Sequence, residues 1–246
     1  MEKGLSIILP AFNEELNVAL AVRNILNFTK SIDLNSEIII VDDGSFDRTG
    51  GIADNLASAN PNIKVIHHQQ NLGYGQALKS GITVSRYELL FFTDADRQFD
   101  IKSLEEMLLI MKTVDNLDIL VGYRLHRQDP FWRKFLSWGF NTIVDFLFNL
   151  NIKDIDCAFK LFRKKIFSYI EIESKYFFAN TEILAKAKYL GFKIAEIGVL
   201  HLPRMMGKST ISLRYVPLTL RELWRIWGNL RRLKKEPSIK DEGAVS

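Results

Sequence analysis

One cysteine, Cys157, stands in 246 residues, so no internal disulfide can form and a reducing compartment suits the chain. A signal-peptide core is also missing: Met1-Glu2-Lys3-Gly4 runs straight into Leu5-Ser6-Ile7-Ile8-Leu9-Pro10, too short an apolar run for export. No stretch suits a membrane span. The Phe-rich segment from Phe135 to Lys153 carries Asn141, Asp145 and Asn149, which would lie in hydrocarbon. Two nucleotide-binding patterns fail on inspection. Gly73-Tyr74-Gly75 would need a glycine where Leu78 stands to read as a dinucleotide fingerprint. Gly207-Lys208-Ser209-Thr210 would need one where Leu202 stands to read as a P-loop. Acids are scarce late in the chain: between His201 and Lys235, nine Lys or Arg residues meet the single acid Glu222. The net charge of +4 is therefore concentrated there, and anionic partners are expected: phosphates, nucleic acid or an acidic membrane surface.

With 47% apolar and 25% charged residues the chain can core one large α/β domain, or at most two small ones. Strand-like runs at Leu5 to Leu9, Glu37 to Val41, Ile63 to His67, Glu88 to Thr93 and Asp118 to Gly122 alternate with helix-like segments. The helices are expected from a capping Asn13 to about Thr29, from Asp47 to Ala59, after Gly75, and from Ile101 to Thr113. This alternation predicts a mostly parallel sheet with helices on both faces. Ligands of such sheets bind beyond the carboxyl ends of the strands. Asn13 and Glu14, Asp42 and Asp43, Asp94 and Asp96, and Tyr123 and Arg124 all fall there. Strand-to-helix loops are polar in any case and Asp often caps helices, so each pair alone says little.

The run Leu89-Leu90-Phe91-Phe92 reads as a strand buried on both faces, and it stops at Thr93-Asp94-Ala95-Asp96. In an extended segment, side chains at i and i+2 share one side, so the two carboxylates converge. Like charges so close call for a proton or a cation between them. A hard divalent ion held by one or two carboxylates and by substrate phosphates is one answer; an acidic turn capping the next helix is the other.

In the second half, Ser137, Asn141, Asp145, Asn149 and Lys153 recur every four residues. They form one polar stripe on a helix that either packs deeply or lies on a bilayer surface. After Pro217, Leu220, Leu223, Trp224, Trp227 and Leu230 share a helical face, with Arg221, Arg225, Arg232 and Lys235 largely elsewhere. Such a helix suits a membrane interface, packing on the domain, or an oligomer contact. Nucleic acid fits less well, because Trp224 and Trp227 lie on the apolar face rather than among the charges. Residues 237–246 read as a disordered tail.

Taken in order, several short motifs resemble the inverting family 2 glycosyltransferases of GT-A (Rossmann-like) fold, in particular the dolichyl-phosphate mannose synthase and polyprenyl-phosphate transferase branch. They are Pro10-Ala11-Phe12-Asn13-Glu14-Glu15, Val41-Asp42-Asp43-Gly44-Ser45, Asn71-Leu72-Gly73-Tyr74-Gly75 and Asp94-Ala95-Asp96-Arg97-Gln98. Gly122-Tyr123-Arg124, Asp156-Cys157-Ala158-Phe159-Lys160 and His201-Leu202-Pro203-Arg204 continue the series. The resemblance, which covers about residues 5 to 212, implies a catalytic domain over residues 1–212; the residue pattern adds an amphipathic basic helix over 213–236, for which a membrane interface is one option, and the tail.

The resemblance also implies a nucleotide-sugar donor, a polyprenyl-phosphate acceptor and Mg2+ or Mn2+. The expected place is peripheral on the cytoplasmic face of a membrane, with an oligomer or membrane-subunit partner as a further option. By position, Pro10, Phe12, Glu14, Val41 and Asp43 would hold the nucleoside, and Asp94, Ala95, Asp96 and Gln98 the metal and diphosphate. Arg124 and Arg133 would contact phosphates, and Arg204 would cover the diphosphate.

Two departures stand out. Thr210 occupies the place of a family lysine, so that Lys208 either substitutes for it or faces solvent, and Ala158 stands where relatives often have glycine. Since a phosphate acceptor is already ionised at neutral pH, the chemistry needs no side-chain base. His67, His68 and His126 accordingly read as structural, with His201 the weaker catalytic candidate. A family-type Glu182 is left without a role. A glycosidase fits poorly, because its carboxylates must flank the scissile bond rather than share one ion. The alternatives to a polyprenyl-phosphate acceptor are a glycolipid, polysaccharide or protein acceptor, or a degenerate scaffold that only binds a nucleotide or a membrane.

Overall fold

The computed structural model describes residues 2–96, 98–125, 131–176, 178–202 and 216–233, with the backbone alone at 131–136, 216–220 and 231–233. Seven strands form one sheet: β1 (Glu2–Ala11), β2 (Ser36–Asp42), β3 (Ile63–His67), β4 (Tyr87–Phe92), β5 (Ile119–Leu125), β6 (Lys160–Arg163) and β7 (Ile194–Leu200). The helices are α1 (Val18–Ser31), α2 (Thr49–Ala59), α3 (Tyr74–Val84), α4 (Ser103–Thr113), α5 (Phe131–Phe148), α6 (Phe178–Tyr189) and α7 (Val216–Leu233), with a 3-10 turn at Lys164–Ser168.

The order across the sheet is β3-β2-β1-β4-β6-β5-β7. Every pairing is parallel except those of β6, which runs antiparallel to both β4 and β5. The chain order reverses between β1 and β4, which opens a crevice at their carboxyl ends. Because β6 runs the other way, its beginning at Lys160 lies beside Phe92, the end of β4. The loop leading into β6 therefore reaches the same edge as the β4 terminus.

Strand alternation divides the core. Leu5, Ile7, Leu9, Ile38, Ile40 and Phe91 face α1 and α4, whereas Ile8, Ile39, Val41, Leu90 and Phe92 face α3 and α6. Burial on both faces accounts for the mostly apolar runs of these strands; two exceptions, Ser6 of β1 and Glu37 of β2, are buried but hydrogen-bonded to each other at 2.7 Å. Each fully buried aliphatic or Phe side chain contributes about 1.5–3 kcal/mol.

Three elements differ from the sequence expectation. α1 begins at Val18 because Asn13 has φ 55, a left-handed conformation that cannot start a helix but that Asn tolerates. α5 runs from 131 to 148 and stops where Asn149 and Asn151 both take φ 51; the amide of Asn151 donates to Asp145 Oδ1 at 2.6 Å. Asn149 and Lys153 thus belong to the turn after the helix, not to its polar stripe. Nor is α5 deeply packed on all its apolar positions: Val144 is buried, but Trp138 and Phe146 are exposed. In α7 the buried face is Leu223, Ile226 and Leu230, and Trp224 turns outward at 64% exposure. None of the described helices is long and apolar enough to cross a membrane.

Candidate active site

Two loops close the β1–β2 side of the crevice by exchanging short polar side chains and backbone amides. Asn13 N–H donates to Ser45 Oγ at 3.0 Å and Phe46 N–H to Asn13 Oδ1 at 2.9 Å. Glu14 N–H donates to Thr49 Oγ1 at 2.8 Å and Glu15 N–H to Asp47 Oδ2 at 3.1 Å. This stitching presents Pro10, Phe12 and Glu14, all partly exposed, at the end of β1. Phe12 meets the exposed Phe46 edge-on at 6.0 Å, an apolar wall against which a planar base could lie. The Val41 and Ala95 side chains are buried, so these two residues could offer a ligand only their backbone.

Asp43 is almost fully buried. Its Oδ1 accepts Leu72 N–H at 2.9 Å and lies 2.6 Å from His68 Nδ1, and Oδ2 accepts Gly73 N–H at 2.8 Å. The carboxylate thus anchors the loop before α3, and little of its acceptor capacity remains for a base. His67 bridges Asp54 at 2.9 Å and Asp42 at 3.0 Å. Asp54 first, with Asp42 adding and burial opposing, raises the His67 pKa above its ordinary 6.5. Both histidines are thus tied to carboxylates of their own neighbourhood, and His126 lies outside the described residues.

β4 ends at Phe92, and Thr93, Asp94, Ala95 and Asp96 follow in a turn at the β1–β4 switch point. Asp94 and Asp96 are both partly exposed. Asp96 Oδ1 accepts Gln98 N–H at 3.1 Å, which folds the turn back on itself. Gln98 C=O accepts Leu202 N–H at 2.8 Å, and Phe99 pairs with His201 in an isolated antiparallel bridge. The chain that leads on to residue 203 is therefore fastened beside the Asp94–Asp96 turn. Arg204, Lys208 and Thr210 lie outside the described residues, as does the Arg133 side chain on α5.

The other side of the crevice is built from β5, β6 and the loop before β6. β5 runs on to Leu125, so Tyr123 and Arg124 stand on the strand, paired with Gly198 and Val199 of β7. Asp154 holds Arg124 in a two-pronged grip: Nε to Oδ2 at 2.6 Å and Nη2 to Oδ1 at 2.7 Å. Such a fork fixes the plane of the guanidinium, and with it the direction of its remaining donors. Lys160 is fully buried at the start of β6, and its Nζ donates to the carbonyls of Ile155 and Cys157. Burial lowers its pKa, against the opposing pull of Cys157, Asp154, Asp156 and Asp94. Burial also pushes the Cys157 thiol up to about 12, so this cysteine is inert at neutral pH. The Tyr74 hydroxyl is buried at the α3 N-terminus, and its pKa is raised well above the usual value by burial and next by Asp94.

Asp154 escapes a reading of the sequence, while Lys160 and Tyr74 lie inside the motifs named above but receive no role there. Asp154 lies two residues before the Asp156 motif, with nothing local to mark it. A lysine inside the apolar run Phe159-Lys160-Leu161-Phe162 is the one available signal.

The donor set fits a hard divalent ion. Two partly exposed carboxylates one residue apart supply oxygen ligands, and the described residues hold no group of three or more His, Cys, Asp or Glu side chains that would complete a protein cage. Such a site takes its remaining ligands from phosphate and water, as Mg2+ sites commonly do.

A family model described as glycosyl transferase family 2 matches residues 6–170, which span all these strand ends up to β6. The chain belongs to glycosyl transferase family 2. It is 34% identical over 215 residues to a dolichyl-phosphate beta-glucosyltransferase of Dictyostelium discoideum, covering 79% of this chain and 65% of that one. It is 29% identical over 244 residues to a polyprenol monophosphomannose synthase of Mycolicibacterium smegmatis, covering 93% and 89%. The chain thus spans just under two thirds of the glucosyltransferase relative. Among solved structures, glucosyl-3-phosphoglycerate synthase from Mycobacterium tuberculosis, in complex with Mn2+, UDP and glucosyl-3-phosphoglycerate, aligns with a TM-score of 0.71. That alignment is 16% identical and covers 93% of this chain and 80% of that one, a likeness of fold.

Proposed function

We propose that this chain is a metal-dependent, inverting hexosyltransferase that moves a sugar from a nucleotide donor to a polyprenyl phosphate. The observation that carries the reading is the placement of Asp94-Ala95-Asp96 at the β1–β4 switch point, on the sheet edge that also carries Glu14 and the forked Arg124. The names of the dolichyl-phosphate and polyprenol relatives support the acceptor, and the solved fold relative with Mn2+ and UDP supports the donor and metal.

In this reading Pro10, Phe12 and Glu14 line the nucleoside side, and Asp43 holds that side in shape through the loop at Leu72 and Gly73. Asp94 and Asp96, with Gln98 beside them, hold Mg2+ or Mn2+. When bound, the ion neutralises charge that develops on the departing nucleoside diphosphate. Arg124, set in direction by Asp154, orients the acceptor phosphate for attack from the face opposite the leaving group. Arg133, Arg204 and Lys208 join this phosphate chemistry by their positions in the motifs. A phosphate oxygen is already ionised at neutral pH, so none of the histidines has to act as a base.

A peripheral place on a membrane is supported by exposed Trp138 and Phe146 on α5 and exposed Trp224 on α7, with Arg221 also exposed. The basic excess late in the chain suits the anionic cytoplasmic leaflet.

The test is a transfer assay with UDP-glucose, GDP-mannose and UDP-N-acetylglucosamine, with and without polyprenyl phosphate, Mn2+, Mg2+ and EDTA. A glycosyl lipid formed only with metal and polyprenyl phosphate is expected, and Asp96→Ala should abolish it without lowering the melting temperature. Full activity in EDTA would remove the metal from the mechanism. Transfer to a soluble or polymeric acceptor alone would replace the lipid.

A further inference from the structure

We propose that Arg225 of α7 is a positioning residue for the donor side of the site, acting through the loop 171–176 on the N-terminal turn of α3. The proposal rests on the transferase reading in one respect, that this side of the crevice binds a nucleotide.

The connection can be followed bond by bond. Arg225 Nη1 lies 2.8 Å from Glu173 Oε2, and Nη2 donates to Ser174 Oγ at 2.8 Å. One turn further along α7, Asn229 Nδ2 donates to the same Glu173 oxygen at 2.8 Å. From α6, Lys186 Nζ reaches Glu173 Oε1 at 2.8 Å and the Glu171 carbonyl at 2.7 Å. Glu182, fully buried on α6, accepts the backbone N–H groups of Glu173 at 3.1 Å and Ser174 at 2.7 Å, with Lys186 Nζ 2.8 Å from its other oxygen. This gives the family-type Glu182 a place: it holds the loop backbone from below while α7 holds it from the side.

The far side of the loop bears on α3. Gly75 N–H donates to the Lys175 carbonyl at 2.8 Å. A Cβ at Gly73 or Gly75 would run into the carbonyls of Lys175 and Ser174, and Gly73 has φ 94 besides. Loop and turn are therefore in backbone contact with no slack between them. The same turn supplies the Leu72 and Gly73 amides that fill the Asp43 carboxylate. A shift of the loop must pass to Gly73 and from there to Asp43.

Helix packing alone does not require this arrangement. Leu223, Ile226 and Leu230 already bury α7 against the domain. Glu173, Glu182, Lys186 and Arg225 add a charged network whose members grip one loop; Glu182 and Lys186 are buried, and burying such charges is costly unless each is paired, whereas Glu173 and Arg225 are more open. Those pairs meet on a segment whose backbone touches the α3 turn. Among the described residues, the Arg225 guanidinium meets Glu173, Ser174, Glu182 and its helix neighbour Glu222. Its influence on a nucleotide is thus indirect, and it should be confined to the donor.

The experiment uses the full chain with Arg225→Ala, Arg225→Lys and, as a second route into the same network, Glu173→Gln. UDP and GDP binding with Mn2+ is measured by calorimetry. Initial rates are measured with donor and acceptor varied separately, and melting temperatures are recorded alongside. Arg225→Ala should weaken nucleotide binding and raise the donor KM about tenfold, the worth of one charge-assisted contact, with the acceptor KM unchanged. Arg225→Lys should recover part of the loss, and Glu173→Gln should follow Arg225→Ala. Unchanged nucleotide affinity with a lowered melting temperature would make the network a purely structural tie and overturn the proposal. An equal rise in both KM values would overturn it too. A wild-type chain that binds no nucleotide would instead remove the transferase reading, and the proposal with it.

Discussion

On the β1–β2 flank of the site, Ser45, Asn13, Thr49 and Asp47 each meet a backbone amide of the opposite loop, so short side chains hold two loops together through several separate bonds. On the β5–β6 flank, the parts are held by the long charged side chains of Arg124 and Lys160. Arg124 is gripped by Asp154, 30 residues away, and buried Lys160 ties together the turn that leads into β6. The first flank is stabilised by many bonds of moderate worth, each about 1 kcal/mol. The second depends on a few buried charges, whose loss leaves a partner uncompensated. The two flanks should therefore fail differently when cut.

The largest effect is expected at Asp154. Asp154→Ala frees the Arg124 guanidinium and should cost about 2–4 kcal/mol of stability, because it strands a largely buried charge. Transfer should fall on the order of 100-fold, chiefly through acceptor use, as misplacement of a substrate-orienting group does. Urea unfolding and acceptor-saturation kinetics read the two quantities, and a wild-type acceptor KM would show that the fork does not aim Arg124. A middle effect is expected where the flanks join, at the α3 turn. Gly75→Ala drives a methyl into the Ser174 carbonyl and should cost about 1–3 kcal/mol, with nucleotide affinity falling in step. An unchanged melting temperature would mean that the loop yields freely, against the tight contact seen between loop and turn.

The smallest effect is expected at half-exposed His67 on the first flank. Its folded pKa lies above the ordinary 6.5, so its ion pairs with Asp54 and Asp42 stabilise the fold fully below that value. The contribution fades as pH rises through the raised folded value. His67→Ala should therefore destabilise the chain measurably at about pH 5.5 and hardly at about pH 8.5. A difference that grows toward alkaline pH would reverse the assignment.

The same contrast explains what can be read from the residues alone. Asp94 and Asp96, Asn13 and Glu14, and Asp42 and Asp43 sit at the ends of apolar strands, and spacing along the chain suffices to place them on one edge. The role of Asp43 is not legible there, because its partners Leu72 and Gly73 are a strand and a helix away in sequence. The antiparallel β6 escapes for a similar reason. It has four residues, too few for alternation to show, and only its pairing with β4 and β5 gives it a direction. On α7 the helical spacing does not tell which apolar residues meet the domain. The choice of Ile226 over Trp224 depends on α5 and α6, which the local pattern does not contain.

Local pattern thus determined the α/β alternation and the placing of Asp94-Ala95-Asp96 just past a buried strand, because strand burial follows from residue type and period; the extended course expected for the two carboxylates is a turn in the structure. Tertiary structure decided what those carboxylates stand next to. The reversal of β6 brings Asp154 and Lys160 to the edge of the site, and the charges on α6 and α7 close on a loop that bears on α3. Arg225 and Glu173 are 52 positions apart, and only the packing of α7 against α6 and the loop before it brings such a pair within reach.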